Sequence, residues 1–214
     1  MISRLVYGLV ALVLCVLPAT AGYVEPDALK DKVAKGELPP VDQRLPNEPL
    51  KVTIEGEGKA VGQYGGTARI LIGGQRNISL MTVYGYTRLV RYDDKLQLQP
   101  DLLKSFEVQD GRVFTFHLRP GLKWSDGEPV TTEDFRYALE DVQLNEDLSK
   151  VISPYLLVDG KPPKFEIVDD QTLRYSWDAP NPDFLPQIAA PQALGLVMPA
   201  KYLKQFHKKY QSED

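Results

Sequence analysis

The alternation of apolar and polar residues on either side of Asp110-Gly111 is the feature that most constrains the fold of this 214-residue chain. Asp-Gly is a preferred pair for a tight turn between antiparallel strands. In the run after the turn, Phe114, Phe116 and Leu118 occupy every second position, so in a strand their side chains share one face. The sequence therefore predicts a β-hairpin, SFEVQ paired with RVFTFHLR, that buries one side.

A second hairpin and two single segments also have the pattern of strands. A second hairpin is predicted from KFEIV to TLRYSW, turning at 169–171, because Leu173, Tyr175 and Trp177 share a face. TRLVRYDD is typical of a short strand followed by a turn. TARILIG, residues 67–73, is predicted to be a strand covered on both faces, because its apolar residues are nearly continuous.

Two segments outside these strands have a different character. Residues 22–66 carry several prolines among charged residues, and proline removes a backbone donor and prevents a sustained helix. We therefore predict an extended arm that runs over a surface, with one short helix near 26–33. Near the end of the chain, PAKYLKQFHKKY predicts a helix in which Leu203, Phe206 and Tyr210 recur at helical spacing.

The stretch LRPGLKWSDGEPVTTEDF, residues 118–135, is the densest in chemically capable side chains, with its Trp and its acidic residues. It could be an active site, or a turn followed by the start of a helix. Its Asp-Gly pair has turn chemistry. Thr131 or Thr132 can cap a helix whose first turn holds Glu133 and Asp134, where carboxylates meet the positive end of the helix dipole.

The structural interpretation of this stretch is favoured over a catalytic or metal site. The helix that follows has an apolar stripe of Phe135, Leu139 and Val142, and Trp124 is predicted to anchor the turn to the core. A calcium loop needs acids at alternate positions before its Gly and a Glu six residues after it. Glu133 stands six residues after Gly127, but Leu122 and Trp124 occupy two of the alternate positions before it, so the pattern is not met.

No arrangement of catalytic residues is marked elsewhere in the sequence. His117 and His207 are the only histidines and lie far apart, and no G-x-S-x-G elbow or phosphate loop occurs. Structural roles are predicted for both histidines. The sequence thus predicts no catalytic residue, no metal site and no cofactor.

Residues 1–21 are predicted to be a cleavable export signal. A short basic start precedes the apolar run Leu5–Val16, and Ala19 and Ala21 supply small residues for cleavage near Ala21. The run is shorter than the ~20 residues of a membrane span. Cys15 lies inside this run, which disfavours a lipid anchor, and no other Cys exists to form disulfides.

The charge of the chain disfavours a nucleic-acid partner. The sequence has 25 Lys and Arg against 29 Asp and Glu, and loss of Arg4 with the signal would leave a net charge of −5. The one basic cluster, HKKY, is typical of a solvated helix end, where cations suit the dipole. Binding to phosphate backbones depends on many Lys and Arg contacts, so nucleic acid is not expected to bind.

Taken together, these motifs resemble a family. YGGTARI, YGYTRLVRYD and PDLLKSFEVQDGRVFTFHLRPGLKWSDGEPVTTEDF are similar to the family 5 extracellular solute-binding proteins of ABC importers, which bind oligopeptides, dipeptides or nickel. TFHLRPGLKWSDGEPVTTEDF is the most specific of these motifs. LPPVDQRLPNEP and PAKYLKQFHKKY resemble a bacterial subgroup usually assigned to peptides, and the resemblance covers residues 29–210.

The resemblance implies an α/β periplasmic-binding-protein-like fold, the type II or Venus-flytrap fold. Family members are longer, so we expect only the start of the large lobe and its extra small α+β domain, with the second lobe absent. The implied organisation is a signal peptide, a Pro-rich extended arm, the first segment of lobe I and the small accessory domain: 1–21, 22–66, 67–87 and 88–214.

The resemblance also implies where a ligand would bind. In the family, ligand main chain pairs with strand-like segments of both lobes. The acidic residue that pairs with a peptide's amino group comes from the second lobe, so no residue here inherits that role. The segment after the first strand lies on the cleft side, and the candidate ligand-binding residues are Gly74, Gln75, Arg76, Asn77 and Ser79. Tyr84 and Tyr155 are candidates for the rim or for core packing.

Three functions remain open from the sequence. The first is an exported, monomeric periplasmic receptor, not an enzyme, which captures peptides or similar small solutes and delivers them to ABC permease subunits in the inner membrane. The second is a non-functional truncated product that folds without binding ligand. The third, an exported hydrolase, is disfavoured because no nucleophile and base are marked. Nickel chelates, sugars and opines remain alternative ligands.

Overall fold

The computed structural model describes residues 23–54, 56, 58–63, 65–77, 87–190 and 194–211. The strands are β1 to β6: Val90–Tyr92, Leu98–Pro100, Leu103–Gln109, Val113–Leu118, Lys164–Ile167 and Thr172–Ser176. The α-helices are α1 to α5: Asp27–Ala34, Val41–Arg44, Thr132–Arg136, Phe184–Ala189 and Ala200–Leu203. A π-helix and two 3-10 helices complete the described elements: Tyr137–Gln143, Pro154–Leu156 and Lys204–Phe206.

The two predicted hairpins form one antiparallel sheet. Its strand order is β3-β4-β6-β5, so the second strands of the two hairpins lie side by side in the centre. Asp110 and Gly111 both have positive φ, 52° and 64°, as a tight hairpin turn with right-handed twist requires. The short strands β1 and β2 form a separate two-stranded sheet, whose β1 lies in the predicted TRLVRYDD segment.

One face of the four-stranded sheet forms the hydrophobic core. Phe114, Phe116 and Leu118 of β4 are buried, which confirms the predicted alternation. Leu173, Tyr175 and Trp177 face the same side and are buried as well. Phe184 of α4 lies at the centre of this aromatic cluster, with its ring centroid 4.9 Å from Trp177, 5.0 Å from Phe114 and 5.3 Å from Tyr175.

The helical segment after β4 is shorter and less regular than the sequence predicts. Phe135 and Leu139 are buried as expected, but α3 ends at Arg136 and a π-helix follows, in which Leu144 N donates to Leu139 O. π-Helices are rare and appear mostly as single turns inserted in α-helices. This one carries Asp141, which pairs with Arg136 and Lys209.

The predicted helix near the end of the chain is partly wrong. α5 spans Ala200–Leu203, the 3-10 helix ends at Phe206, and His207 is extended, with φ −96° and ψ 123°. Phe206 is 69% exposed instead of contributing to an apolar face. The helix ends here because the side chains of His207 and Tyr210 contact Asp141, which lies on the π-helix.

The predicted strand at residues 67–73 is also wrong. In the described part of the chain this segment has no strand pairing, and Ile70, Leu71 and Ile72 are exposed, Leu71 fully so. A strand is stable only when a neighbour pairs with its backbone and covers its side chains. The local β-propensity of TARILIG is therefore present without the partner that it needs.

The predicted arm contacts the sheet domain through residues 43–48. It contains α1, at the position predicted for a short helix, and the short helix α2, and neither helix buries a side chain. Asn47 N donates to Pro120 O at 2.9 Å, and Arg119 Nη1 donates to Glu48 O at 3.1 Å. The arm thus contacts the turn that follows β4.

Candidate functional site

The predicted ligand-binding segment lies at the end of an exposed stretch of backbone. Residues 75–77 form a single 3-10 turn, and Asn77 N donates to Gly74 O at 3.0 Å. All four described candidates are exposed: Gly74, Gln75, Arg76 and Asn77. Exposed backbone groups can pair with an extended ligand, but the structure does not bring these residues against the sheet domain, so their role stays a prediction.

The remaining candidates divide between the core and the undescribed part of the chain. Ser79 and Tyr84 lie outside the described residues. Tyr155 is half-buried and packs against the hydrophobic core, with its ring 6.4 Å from that of Phe184. Burial raises the pKa of the Tyr155 hydroxyl, against the opposing effect of a hydrogen bond with Ser153. Its environment is that of a core residue.

Asp134 makes the hydrogen bonds that connect the stretch 118–135 to the rest of the fold. Its carboxylate accepts hydrogen bonds from Thr131 N at 2.8 Å, Ala200 N at 2.8 Å and Trp124 Nε1 at 3.2 Å. The bond from Thr131 N is the carboxylate half of a capping box, so the cap predicted at Thr131 or Thr132 is at Thr131. One buried carboxylate thereby joins the turn, the start of α3 and the start of α5.

The other three acidic residues of the stretch also have structural partners. Asp126 accepts a hydrogen bond from Glu128 N at 3.0 Å, which closes the turn. Glu128 pairs with Lys201 at 2.6 Å. Glu133 pairs with Arg136 at 2.7 Å. The structural interpretation of the stretch therefore accounts for each of its carboxylates.

A second carboxylate cluster lies between the π-helix and the last described residues. Asp141 is buried and accepts hydrogen bonds from Arg136 at 2.7 Å, Lys209 at 2.6 Å and Tyr210 Oη at 2.6 Å. Lys204 joins the same network through Glu133 at 2.5 Å. Because a buried charge is tolerated only when it is paired and hydrogen-bonded, this network holds the two segments together.

The network shifts the acidity of its carboxyl groups. Hydrogen bonds from Arg136 and then from Lys204 lower the pKa of Glu133 to about 2, against the opposing effect of burial. Burial by itself would raise the pKa of Asp141, but hydrogen bonds from Arg136, Lys209 and Tyr210 outweigh it and hold that pKa below its usual range. Both groups are therefore charged at neutral pH, which suits ion pairing and not proton transfer.

Both histidines have partners in the fold. His207 is buried, and its Nε2 lies 3.0 Å from Asp141 O while its Nδ1 accepts a hydrogen bond from Lys209 N at 3.1 Å. His117 is half-buried on the outer face of the sheet, 3.3 Å from Thr172 Oγ1. Neither histidine lies against a Ser or Cys nucleophile in these contacts.

Two cavities lie beside the last described elements. One of about 420 Å³ is mainly apolar and is lined in part by Tyr137, Leu148 and Phe206. The other, about 360 Å³, lies between Trp124 and Tyr202. Both have the size of small-molecule pockets, ~300–1,000 Å³. Neither is lined by the predicted ligand-binding residues.

Among the described residues, no group of three or more His, Cys, Asp and Glu is arranged to hold a metal ion. No helix in the described ranges is long and apolar enough to cross a membrane.

The cluster around Asp141 is the feature that sequence reasoning missed. Asp141 lies five residues after Arg136, a spacing that does not place two side chains together on an α-helix, whose neighbours are three or four residues apart. The π-helix brings them within hydrogen-bonding distance. Asp141 also lies outside the predicted apolar stripe of Phe135, Leu139 and Val142, so the sequence carried no signal of its burial.

Comparison with known proteins identifies the family. Residues 97–210 match the family described as bacterial extracellular solute-binding proteins, family 5 Middle, which covers more than half of the chain. The periplasmic alpha-galactoside-binding protein of Rhizobium meliloti (strain 1021) is 31% identical over 211 residues, 88% of this chain and 30% of the relative.

Solved structures give the same result. The oligopeptide-binding protein OppA matches with a TM-score of 0.75 and 37% identity over 88% of this chain and 29% of that chain. The periplasmic binding protein MelB from Agrobacterium fabrum C58, in complex with stachyose, matches with a TM-score of 0.60 and 26% identity over 91% of this chain and 32% of that chain.

The similarity confirms the predicted fold class, the type II fold of the periplasmic binding proteins. The chain spans about 30% of the length of the alpha-galactoside-binding relative and of the two solved structures that it matches. The match covers the sheet domain, including the stretch 118–135. The chain belongs to the family 5 bacterial extracellular solute-binding proteins.

Proposed function

We propose that this chain belongs to the exported substrate-binding component of an ABC importer, which captures peptides or similar small solutes in the periplasm and delivers them to permease subunits. The observation that carries the proposal is the match to the oligopeptide-binding protein OppA over 88% of the chain. Members of the family are solute-binding proteins and not enzymes, and each acidic residue of the densest polar stretch has a structural partner.

We further propose the chain organisation that the resemblance implies. The signal peptide is 1–21, the arm is 22–66, the first segment of lobe I is 67–87 and the accessory domain is 88–214. The structure supports the start of the accessory domain, because the sheets and their core begin at Leu89 and Val90. The exposure of residues 67–77 agrees with a segment whose packing partners lie elsewhere.

The ligand-binding proposal rests on Gly74, Gln75, Arg76, Asn77 and Ser79, acting through backbone groups more than side chains. Because the chain spans about 30% of its relatives, we infer that residues 22–214 form an incomplete cleft. Titration of these residues with tri- to pentapeptides in a calorimeter should therefore give no measurable heat of binding. Micromolar binding would contradict the inferred incompleteness, while the family's function would stand.

An α-galactoside oligosaccharide is the second candidate solute. The alpha-galactoside-binding relative covers 88% of the chain, and the MelB structure, which contains stachyose, covers 91%. The residues that would separate a sugar from a peptide, such as aromatic platforms and a carboxylate for an amino group, are not among the described candidates. The uptake experiment therefore includes both peptides and stachyose.

The function is tested by uptake in the bacterium that encodes the chain. Deletion of the gene should reduce the uptake of labelled tri- to pentapeptides, while uptake of an unrelated amino acid stays unchanged as a control. Loss of stachyose uptake alone would support the second solute class. If neither uptake changes, the alternative holds, namely a truncated product that folds without binding ligand.

A further inference from the structure

The arm is attached to the sheet domain through few contacts, and most of them are polar. Lys123 Nζ donates to Gln43 O at 2.6 Å, and Lys104 pairs with Glu48 at 2.8 Å. These add to the two backbone-directed bonds at Asn47 and at Glu48 O. The Lys104–Glu48 pair is about half exposed on both sides, so solvent screens it, and exposed ion pairs contribute little to stability.

The arm also has internal contacts that do not involve the sheet domain. Glu25 accepts a hydrogen bond from Val41 N at 3.0 Å and pairs with Arg44, and Arg44 Nε donates to Pro39 O at 2.9 Å. These contacts hold Glu25, which precedes α1, against both ends of α2. The arm can therefore keep its own shape when its contacts with the sheet domain are lost.

Gly121 is the point of closest approach between the two parts. Its φ is +75°, and a Cβ at this position would lie 2.7 Å from Asn47 Oδ1 and 3.1 Å from Asn47 N. The contacts below 3.0 Å are to the Asn47 side chain, and the distance to Asn47 N is tighter than an ordinary Cβ contact, so a side chain here pushes on both the side chain and the backbone of Asn47. Because Asn47 N donates to Pro120 O, this push bears directly on the hydrogen bond between the arm and the turn.

The segment 51–77 is exposed throughout its described residues, and its backbone hydrogen bonds are local, such as Lys59 N to Gly56 O at 3.3 Å. Its Lys59 Nζ lies 3.8 Å from Asp94 of the sheet domain, in an exposed ion pair that solvent screens. The contacts at residues 43–48 therefore fix where this segment leaves the sheet domain.

We propose that residues 41–49 form a detachable strap, which releases from the Arg119–Lys123 turn without unfolding of the sheet and so frees the start of the segment 50–77. Elements with few buried apolar contacts open at lower free energy than the core, and the strap fits this description. The strap is independent of which solute the protein binds.

Hydrogen–deuterium exchange of the whole chain tests the strap. In the wild-type protein, amides of residues 41–48 should exchange at least tenfold faster than those of β4 and β6. Gly121→Ala should accelerate exchange in 41–48 by a further tenfold or more. The matched control is Gly127→Ala, because Gly127 also has a positive φ, +91°, but a Cβ there meets nothing within 4 Å.

The possible outcomes are distinct. Faster exchange of the strap in Gly121→Ala alone, with β4 and β6 as in Gly127→Ala, supports the proposal. Equal exchange of the strap in the two variants overturns it, and so does joint loss of protection in the strap and the sheet. Should Gly121→Ala not fold, Asn47→Pro removes the Asn47 N–H from the arm itself, and the same comparison of 41–48 with β4 and β6 decides.

Discussion

Individual residues of the stretch 118–135 show how structural demands can imitate an active site. Asp134 is a buried carboxylate with an aromatic neighbour, a combination often found in catalysis, yet its oxygens accept three hydrogen bonds from the fold. A carboxylate whose oxygens accept three hydrogen bonds from the fold has little capacity left for a substrate. The donors Trp124 Nε1 and Ala200 N come from outside α3, so the residue fixes tertiary structure.

Replacement of Trp124 should destabilise the protein. The ring is half-buried against the core, and Nε1 donates to Asp134. We expect Trp124→Ala to lower the free energy of unfolding by about 2–3 kcal/mol, below the ~3–5 kcal/mol of a fully buried aromatic residue. Trp124→Phe keeps most of the packing and should lose only about 1 kcal/mol. Urea unfolding followed by far-UV circular dichroism measures both, and an unchanged midpoint for Trp124→Ala would contradict the anchoring role.

Replacement of Tyr175, unlike that of Trp124, should not destabilise the protein. Among the described residues, its hydroxyl is the buried side-chain polar atom without a hydrogen-bond partner, and burial raises the pKa of this phenol. An unpaired buried hydroxyl opposes folding, so Tyr175→Phe should leave the free energy of unfolding unchanged or raise it by about 1–2 kcal/mol.

Tyr155→Phe is the matched control for this substitution, because the Tyr155 hydroxyl has a hydrogen bond with Ser153. It should lose about 1 kcal/mol. Thermal unfolding of the two variants side by side measures the difference. A loss of similar size in Tyr175→Phe would mean that its hydroxyl makes a stabilising hydrogen bond within the core.

At the scale of elements, the strands whose partners are close in sequence were predictable. The hairpins β3–β4 and β5–β6 each combine a turn signal with alternation, so local sequence determines both the pairing and the buried face. The contact of β4 with β6 joins residues about 60 apart, and the sequence alone did not indicate it. The segment 67–73 has strand propensity without a local partner, and this is why its prediction failed.

The helical elements were predicted less well for a related reason. Helix starts depend on local caps, and α3 begins where the cap signal at Thr131 places it. Helix ends and the π-helix depend on contacts with Asp141, made by residues that follow it by more than 60 positions. The ligand-binding residues are hard to predict for the same reason, because a binding cleft is formed by segments that are distant in sequence.

The exposed segment 51–77 should be the first site of proteolysis. Lys51, Lys59 and Arg69 are exposed in backbone without strand or helix, and proteases act on such segments because the chain must adapt to the active site. Brief digestion with trypsin, followed by mass spectrometry, should show cleavage at these residues while Lys104 and Arg174 within the sheet stay intact. Simultaneous cleavage in β3 or β6 would contradict the expected difference in local stability.

At the scale of the whole molecule, one network of charges joins the helical segment to the last described residues. Arg136 contacts Glu133, Glu140 and Asp141, and Lys204 and Lys209 complete the network from the other side. The sheet contributes the core, and these ion pairs, together with the bond from Ala200 N to Asp134, hold the residues after Pro199 against the helical segment. Their contribution to stability must therefore depend on pH.

The sign of that dependence follows from the lowered pKa values. A carboxyl group whose pKa is lower in the folded state stabilises the protein above its unfolded pKa, 4.5 for Glu133, and loses this contribution as pH falls towards the folded value of about 2. The pKa of Asp141 is lowered as well, so its contribution is lost in the same direction. We expect the free energy of unfolding to fall between pH ~5 and ~2.

A single substitution separates the contribution of Glu133 to this pH dependence from the contributions of the other carboxyl groups. Glu133→Gln should be less stable than the wild type at pH 7, and the difference should shrink as the pH approaches 2, since protonation removes the same charge from the wild type. Glu146→Gln, on an exposed turn, is the control and should run parallel to the wild type. Urea unfolding at pH 7, 5, 4, 3 and 2 measures all three proteins. A constant difference between Glu133→Gln and the wild type across this range would mean that the charge of the Glu133 carboxyl group does not stabilise the folded protein.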